Sequence, residues 1–394
     1  MSETQPLNTT GRRPTWAEID LNSLAGNFQI VKSHVSDSAK VMAVVKANAY
    51  GHGAVACARR LETAGADWFG VALPEEGIEL RNAGIAKPIL CLAGFWEGQA
   101  AGCLQHNLVP TVYRQDNIAA LDAAARDRGE VADVHVKIDT GMGRLGVRWD
   151  EANDFAESLK GFKSIRVDGL MTHFAAADEP SCGALTKDQV ARFYNAVAAF
   201  REKGFSPSYR HLSNSAGVFA QPAASGKPDG ETGGNMVRPG GVLYGLWRDI
   251  LNPENGDQAF QPVMSLHSRI TLLKWVPAGE TVGYGCTFEA SRKTLVATIP
   301  IGYDDGYKRA LSNRGHAIIR GVFATVIGRI SMDLTLIDVT NVPDVQMDDE
   351  VLLLGRSGEL SITAEELGKI AGTLSYEITC GIGSRVTRFT SLTV

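Results

Sequence analysis

From Val41 to Pro239 the chain repeats one pattern: a short β-rich run, then a stretch spaced for a helix. The runs are VMAVVKA (41–47), WFGVA (68–72), PILCL (88–92), LVPTVY (108–113), DVHVKID (133–139), RVDGLMT (166–172), YRHLS (209–213) and NMVRP (235–239). They are nearly continuous apolar runs, as strands covered on both faces must be. The clearest helix spans Lys187 to Lys203, where Val190, Phe193, Tyr194, Val197 and Phe200 recur every three or four residues and build one apolar stripe. Eight strands alternating with helices predict an α/β fold, a closed (β/α)8 barrel of the TIM type. An open doubly wound sheet competes with it, but no GxGxxG opens a helix after the first strand.

After Gly245 the texture changes. LWRDILNPENGDQAFQP (246–262) reads as a linker, followed by strand-like runs HSRITLLKWV, TLVATIPIGY, HAIIRG, FATVIGRI, LTLIDVT and EVLLLG. One helix stands out, TAEELGKIAG (363–372), with Thr363 and Glu366 at capping-box spacing and Gly372 as its stop. A chain of 394 residues exceeds one ordinary core. Two domains are therefore expected: 1–248 as the barrel, and 249–394 as a mostly-β domain. The polar first few residues are expected to be disordered, and residues near 15–20 to pair with the second domain.

Composition excludes several classes. A net charge of −5 and scattered lysine and arginine give no footprint for nucleic acid. No apolar run reaches membrane-spanning length, and the polar opening MSETQPLNTTGRRP has no apolar segment of the secretory type. The six cysteines (57, 91, 103, 182, 286, 380) form no CxxC or CxH cluster, so no metal site is expected. They read as reduced, mostly buried thiols of a cytoplasmic protein.

In such a barrel, chemistry collects at the carboxyl ends of the strands. The first strand ends in Lys46, with Tyr50 four residues on. The fifth ends in VKIDTGMGRLG, bringing Lys137, Asp139 and Arg144. The sixth offers His173 and Asp178, the seventh Asn214 and Ser215, and the eighth Arg238, Gly240 and Gly241. Loops after strands seven and eight often bind phosphate. Ser215 can donate a hydroxyl, and two glycines let backbone N–H groups approach an anion. Each element alone reads more simply: SNSAG as a helix cap, PGG as a turn, Lys46 as a lysine whose stem is buried and whose amine meets an acid. Taken together, a barrel lysine facing a phosphate site points to pyridoxal 5'-phosphate, because a buried lysine can free its amine for a Schiff base. An arginine at the pyridine nitrogen would leave it unprotonated and mute the electron sink. That favours removal and return of a single proton.

At this point the residues resemble the bacterial alanine racemase family, of fold-type III among pyridoxal-phosphate enzymes. The carrying segments are VVKANAYGHG, KIDTGMGRLGV, LMTHFA, HLSNSA, VRPGGVLYG, VGYGCTF, IGYDDGYKR, GRISMDLTLIDV and LSYEITCGI, in order through both domains. The resemblance implies Lys46 as the Schiff-base lysine and one base, and Tyr284 as the second base on the opposite face. It implies Tyr50, Ser215 and Tyr376 as phosphate ligands beside the N–H groups of Gly240 and Gly241, with Asn214 in the same cofactor site. Arg238, tied to His173, would meet the pyridine nitrogen, and the pair would ease Tyr284 toward giving up its proton. Arg144 would contact the phenolic oxygen and the substrate. Lys137 matches a lysine that carries a carbamate in many members. Met332 and Asp333 would contact the substrate carboxylate, and Asp178, Tyr303, Arg309 and Tyr376 would line its approach. Gly241 departs from the small aliphatic residue common in the family, but keeps its N–H.

The expected activity is interconversion of L- and D-alanine, supplying D-alanine for peptidoglycan, in a homodimer whose sites are shared between subunits. A racemase of broader specificity, acting on serine or other side chains, is the alternative. A decarboxylase of the same architecture is a weaker candidate, and a pyridoxal-phosphate carrier would lack the second domain. Apart from the resemblance, Tyr284 would read as a rim aromatic, Met332 as filler in a turn, and Asp304–Asp305 as a solvated turn.

Overall fold

The structure is a computed structural model that describes residues 11–220, 234–251 and 260–391. The expected disorder of the first few residues, and residues 252–259 of the linker, lie outside the described residues. The chain divides into two compact units, Leu21–Gln261 and Pro262–Val394 together with the N-terminal residues through Asp20.

The first unit is the barrel. Its strands are Lys40–Val44, Trp68–Val71, Ile89–Cys91, Leu108–Val112, Ala132–Asp139, Ile165–Met171, Tyr209–His211 and Met236–Val237. Seven parallel pairings join them in sequence, with the last strand beside the first. Asn235 N–H to Arg210 O (2.9 Å) and Arg238 N–H to Ser213 O (3.0 Å) bridge the remaining seam. Met42, Trp68, Leu90, Met171 and Met236 fill the interior. The barrel is thus a packed core and not a pore. The expected helix runs from Gly183 to Glu202; Phe193, Val197 and Phe200 are buried, while Val190 and Tyr194 lie at its half-buried edge.

Strand boundaries differ from expectation most at the first strand. It stops at Val44, so Lys46 lies beyond it and not at its inner end. Cysteines differ too: Cys57, Cys91 and Cys103 are buried, but Cys182 is half-buried, and Cys286 and Cys380 are exposed.

The second unit is built on a ten-stranded sheet. Thr15–Asp20 runs antiparallel to Met264–Arg269 and parallel to Thr387–Ser391. The run HSRITLLKWV forms two strands, Met264–Arg269 and Leu272–Val276, broken at Ile270 and Thr271. The helix Ala364–Ala371 carries the anticipated capping box, with Thr363 Oγ accepting from Glu366 N–H and Gly372 left-handed at its end. A second helix, Ser375–Cys380, was not expected and carries Tyr376.

Candidate active site

Lys46 opens a turn of unusual hand. Ala47, Asn48, Ala49 and Tyr50 have φ of 53°, 53°, 54° and 53°, a left-handed turn made without glycine until Gly51 closes it. Each such residue costs roughly 1–2 kcal/mol, so four in a row persist only where surrounding contacts fix them. Asn48 Oδ1 accepts from Ala54 N–H at 2.7 Å, and the half-buried Glu76 accepts from Ala47 N–H at 2.7 Å. Strain of this kind concentrates at functional positions.

Arg238 lies at the end of the eighth strand and is 3% exposed. Its Nη1 donates to His211 Nδ1 (3.0 Å) and His211 O (2.8 Å). Its Nη2 donates to Thr172 O (2.6 Å) and Leu212 O (3.1 Å), with His173 Nδ1 at 3.4 Å. The Nε–H alone makes no hydrogen bond among the described residues. Burial pulls this guanidinium down to about 9, which leaves it cationic at neutral pH. The tie to His173 is therefore present, but the closer imidazole is His211, and behind it His135 (Nδ1 to His211 Nε2, 2.8 Å). Neither was singled out from the sequence. The alternation of DVHVKID does put His135 on the same strand face as Lys137.

Positive charge is concentrated here. Burial, then Arg238, Arg144 and Lys46, push the Lys137 ammonium down to about 7. Burial followed by the charges of Arg238, Lys137, Arg144 and Lys46 pushes His173 well below its ordinary range. Lys46, Arg144 and Arg238 thus all act electrostatically on both Lys137 and His173. The loop carrying Arg144 is tied down by Asp139, whose Oδ1 accepts N–H groups of Gly141 (3.0 Å) and Gly143 (3.1 Å). Asp178, after the sixth strand, is exposed.

Ser215 Oγ accepts from Gly240 N–H at 2.9 Å. Gly240's amide is therefore already engaged, and Gly241 opens a short 3-10 turn, where a first N–H has no intrahelical acceptor. Gly240 leaves room for the Tyr50 ring: a Cβ there would sit 2.3 Å from the Tyr50 hydroxyl, which would have to shift. Asn214 Oδ1 accepts from Gly217 N–H (2.9 Å), so Asn214 caps the short helix Ser215–Ala220. The helix-cap reading describes its side chain.

The remaining candidates belong to the second unit. Tyr284 begins a 3-10 turn between Gly283 and Gly285 and is 71% exposed. Tyr303 and Met332 are exposed, as are Asp333 and Arg309, and Tyr376 is half-buried. Asp333 is held by Arg385 Nη2 at 2.6 Å. The expected solvated turn at Asp304–Asp305 is corrected in part. Asp304 is exposed, but Asp305 is fully buried and paired with Arg13 (2.6 Å) and Arg385 (3.3 Å).

The fold and these residues define a class: a two-unit barrel protein in which a left-handed turn after the first barrel strand sets a lysine among cations that include a buried arginine. The family models narrow it. Residues 19–247 match the N-terminal domain of alanine racemase and residues 263–390 its C-terminal domain. The chain belongs to the alanine racemase family. It is similar to the alanine racemase of Geobacter sulfurreducens (44% identity, 95% of this chain and 97% of that protein). It is also similar to that of Halothermothrix orenii (42%, 97% and 98%). Among solved structures, it is similar to alanine racemase from Bacillus anthracis with bound L-Ala-P (TM-score 0.89, 31% identity, 97% and 96% covered). The enzyme from the D-cycloserine producer Streptomyces lavendulae is another (TM-score 0.88, 34%, 97% and 98%).

Proposed function

We infer that this protein interconverts L- and D-alanine with pyridoxal 5'-phosphate. The observation that carries this is the buried Arg238, four of whose N–H groups are satisfied while Nε–H is left over. That nitrogen is not among the side-chain polar atoms sealed in the interior without a partner, so its hydrogen is open to a ligand. A ring nitrogen that accepts and does not need a proton suits it. The Ser215–Gly240–Tyr50 cradle and the surrounding cations suit a phosphate and a phenolic oxygen. These residues fit the group.

When bound, the cofactor supplies a conjugated ring that acidifies the substrate α-carbon. Lys46 would hold it through its Nζ, and that amine, once freed, would take or return a proton on one face of that carbon. Tyr284 moves the proton on the other face through its hydroxyl. A homodimer supplies Tyr284 from the second copy; its high exposure in this chain leaves it available for that. Arg144, on the loop that Asp139 ties down, would hold the phenolic oxygen. Lys137, whose lowered ammonium is partly neutral near pH 7, is suited to carry a carbamate beside Arg144. Met332 and Asp333 receive the substrate carboxylate end, and Asp178, Tyr303, Arg309 and Tyr376 line the approach, Tyr376 also reaching the phosphate. The enzyme works in the cytoplasm, and its D-alanine supplies peptidoglycan. Among the described residues, no helix is long and apolar enough to cross a membrane.

The test is direct. Purified protein with the cofactor should remove the optical rotation of L-alanine, and serine and lysine should respond weakly. Lys46→Ala should lose the visible absorption of the lysine-bound cofactor. An unchanged spectrum sinks the assignment, and equal rates on serine would move the reading to a broad-specificity racemase.

A further inference from the structure

Glu76 sits in the first turn of the helix Pro74–Asn82, just past the second barrel strand. An acid there ordinarily does one job, accepting N–H groups where the helix begins. One oxygen does this: Oε2 accepts from Ala72 N–H (2.6 Å) and Leu73 N–H (3.2 Å). The other reaches back 29 residues, where Oε1 accepts from Ala47 N–H at 2.7 Å. Ala47 is bonded to Lys46 and is the first left-handed residue of its turn.

We propose that Glu76 is a positioning residue for Lys46: its carboxylate clasps the left-handed turn to the end of the neighbouring strand and so aims the lysine amine. The proposal rests on Lys46 being the cofactor's point of attachment. The Lys46–Ala47 peptide is where the chain changes hand. Without an acceptor fixing that N–H, the turn is released toward ordinary right-handed geometry, and Nζ moves with it. Both Glu76 oxygens act as acceptors, so an amide cannot replace the acid. In Glu76→Gln, one end would present N–H to N–H, keeping the helix cap or the clasp but not both. Asp would keep both oxygens on a shorter arm.

Three readouts test this on the full-length protein. Amide hydrogen exchange, followed without cofactor, should rise about tenfold or more in a peptide covering residues 46–50 of Glu76→Gln. The melting temperature should hold. Borohydride fixation of pyridoxal phosphate onto Lys46, followed by mass spectrometry, should slow by about tenfold or more. In the loaded enzyme, kcat should fall roughly 10–100-fold with KM little changed, since a displacement near 1 Å costs about that much. Glu76→Asp should recover part of each. Wild-type exchange at 46–50 in Glu76→Gln overturns the clasp. So does a melting temperature that falls in step with fixation, which would make Glu76 a helix cap only. Fixation of the wild type at another lysine would instead defeat the functional reading, leaving the exchange result to judge the clasp.

Discussion

In the barrel, Lys137 and Arg238 are buried cations that form no ion pair among the described residues. In the second unit, Arg385 meets three carboxylates, Asp304, Asp305 and Asp333. The first arrangement is expensive by itself and makes sense where an anionic ligand completes it. The second is already neutralised. It fastens the turn carrying Tyr303 to the turn carrying Met332, because Asp304 and Asp333 flank those residues. Uncompensated charge in the barrel is thus what the proposed anionic ligand would answer, and compensated charge in the second unit marks where the protein braces itself.

The sharpest way to break this contrast is Tyr284→Phe. The exposed ring packs little, so racemisation should fall roughly 10²–10⁴-fold while melting and cofactor absorption persist. Wild-type entry of solvent deuterium into both enantiomers would remove Tyr284 from the chemistry. Arg238→Leu comes next. It strands the carbonyls of Thr172 and Leu212 in the core, while His211 O keeps the Thr172 N–H (3.1 Å), and urea unfolding should show a loss of about 3 kcal/mol or more. A neutral result would mean the buried cation is not structurally committed.

Lys137→Met probes the same field by pH. With the native ammonium near 7 and the unfolded one near its ordinary 10.5, the unfolded state binds the extra proton between those values. Wild-type stability should therefore gain about 1.4 kcal/mol per pH unit from this group across that window. In carbon-dioxide-free buffer the variant should lack that rise; parallel curves would contradict it. Asn214→Ala should have the smallest effect, about 1 kcal/mol from a lost cap with kcat unchanged. A fall in cofactor affinity would restore Asn214 as a ligand.

The barrel was legible because strands buried on both faces declare themselves by continuous apolar runs, and topology then points to their ends. The hand of the turn at Ala47–Tyr50 was not legible, since Ala, Asn and Tyr carry no mark of positive φ. Glu76 was hidden for a related reason: PEEG reads as an ordinary helix start, and its second partner is remote in sequence. Asp305 looked solvated because adjacent acids usually are, while its partner Arg13 lies 292 positions away. In the second unit, Tyr284, Met332 and Asp333 sit in exposed turns with no periodicity, so only the family resemblance singled them out.

The imidazoles behind Arg238 have one further consequence. A guanidinium only donates, so His211 Nδ1 must accept, which puts its hydrogen on Nε2 and directs it to His135 Nδ1. His135 then holds its own hydrogen on Nε2, which meets no acceptor among the described residues. Burial drives both rings far from protonation, His135 to about 3. Every position along this row is filled and the last hydrogen meets no acceptor, so the row itself offers no relay by which a proton could pass from Arg238 beyond His135.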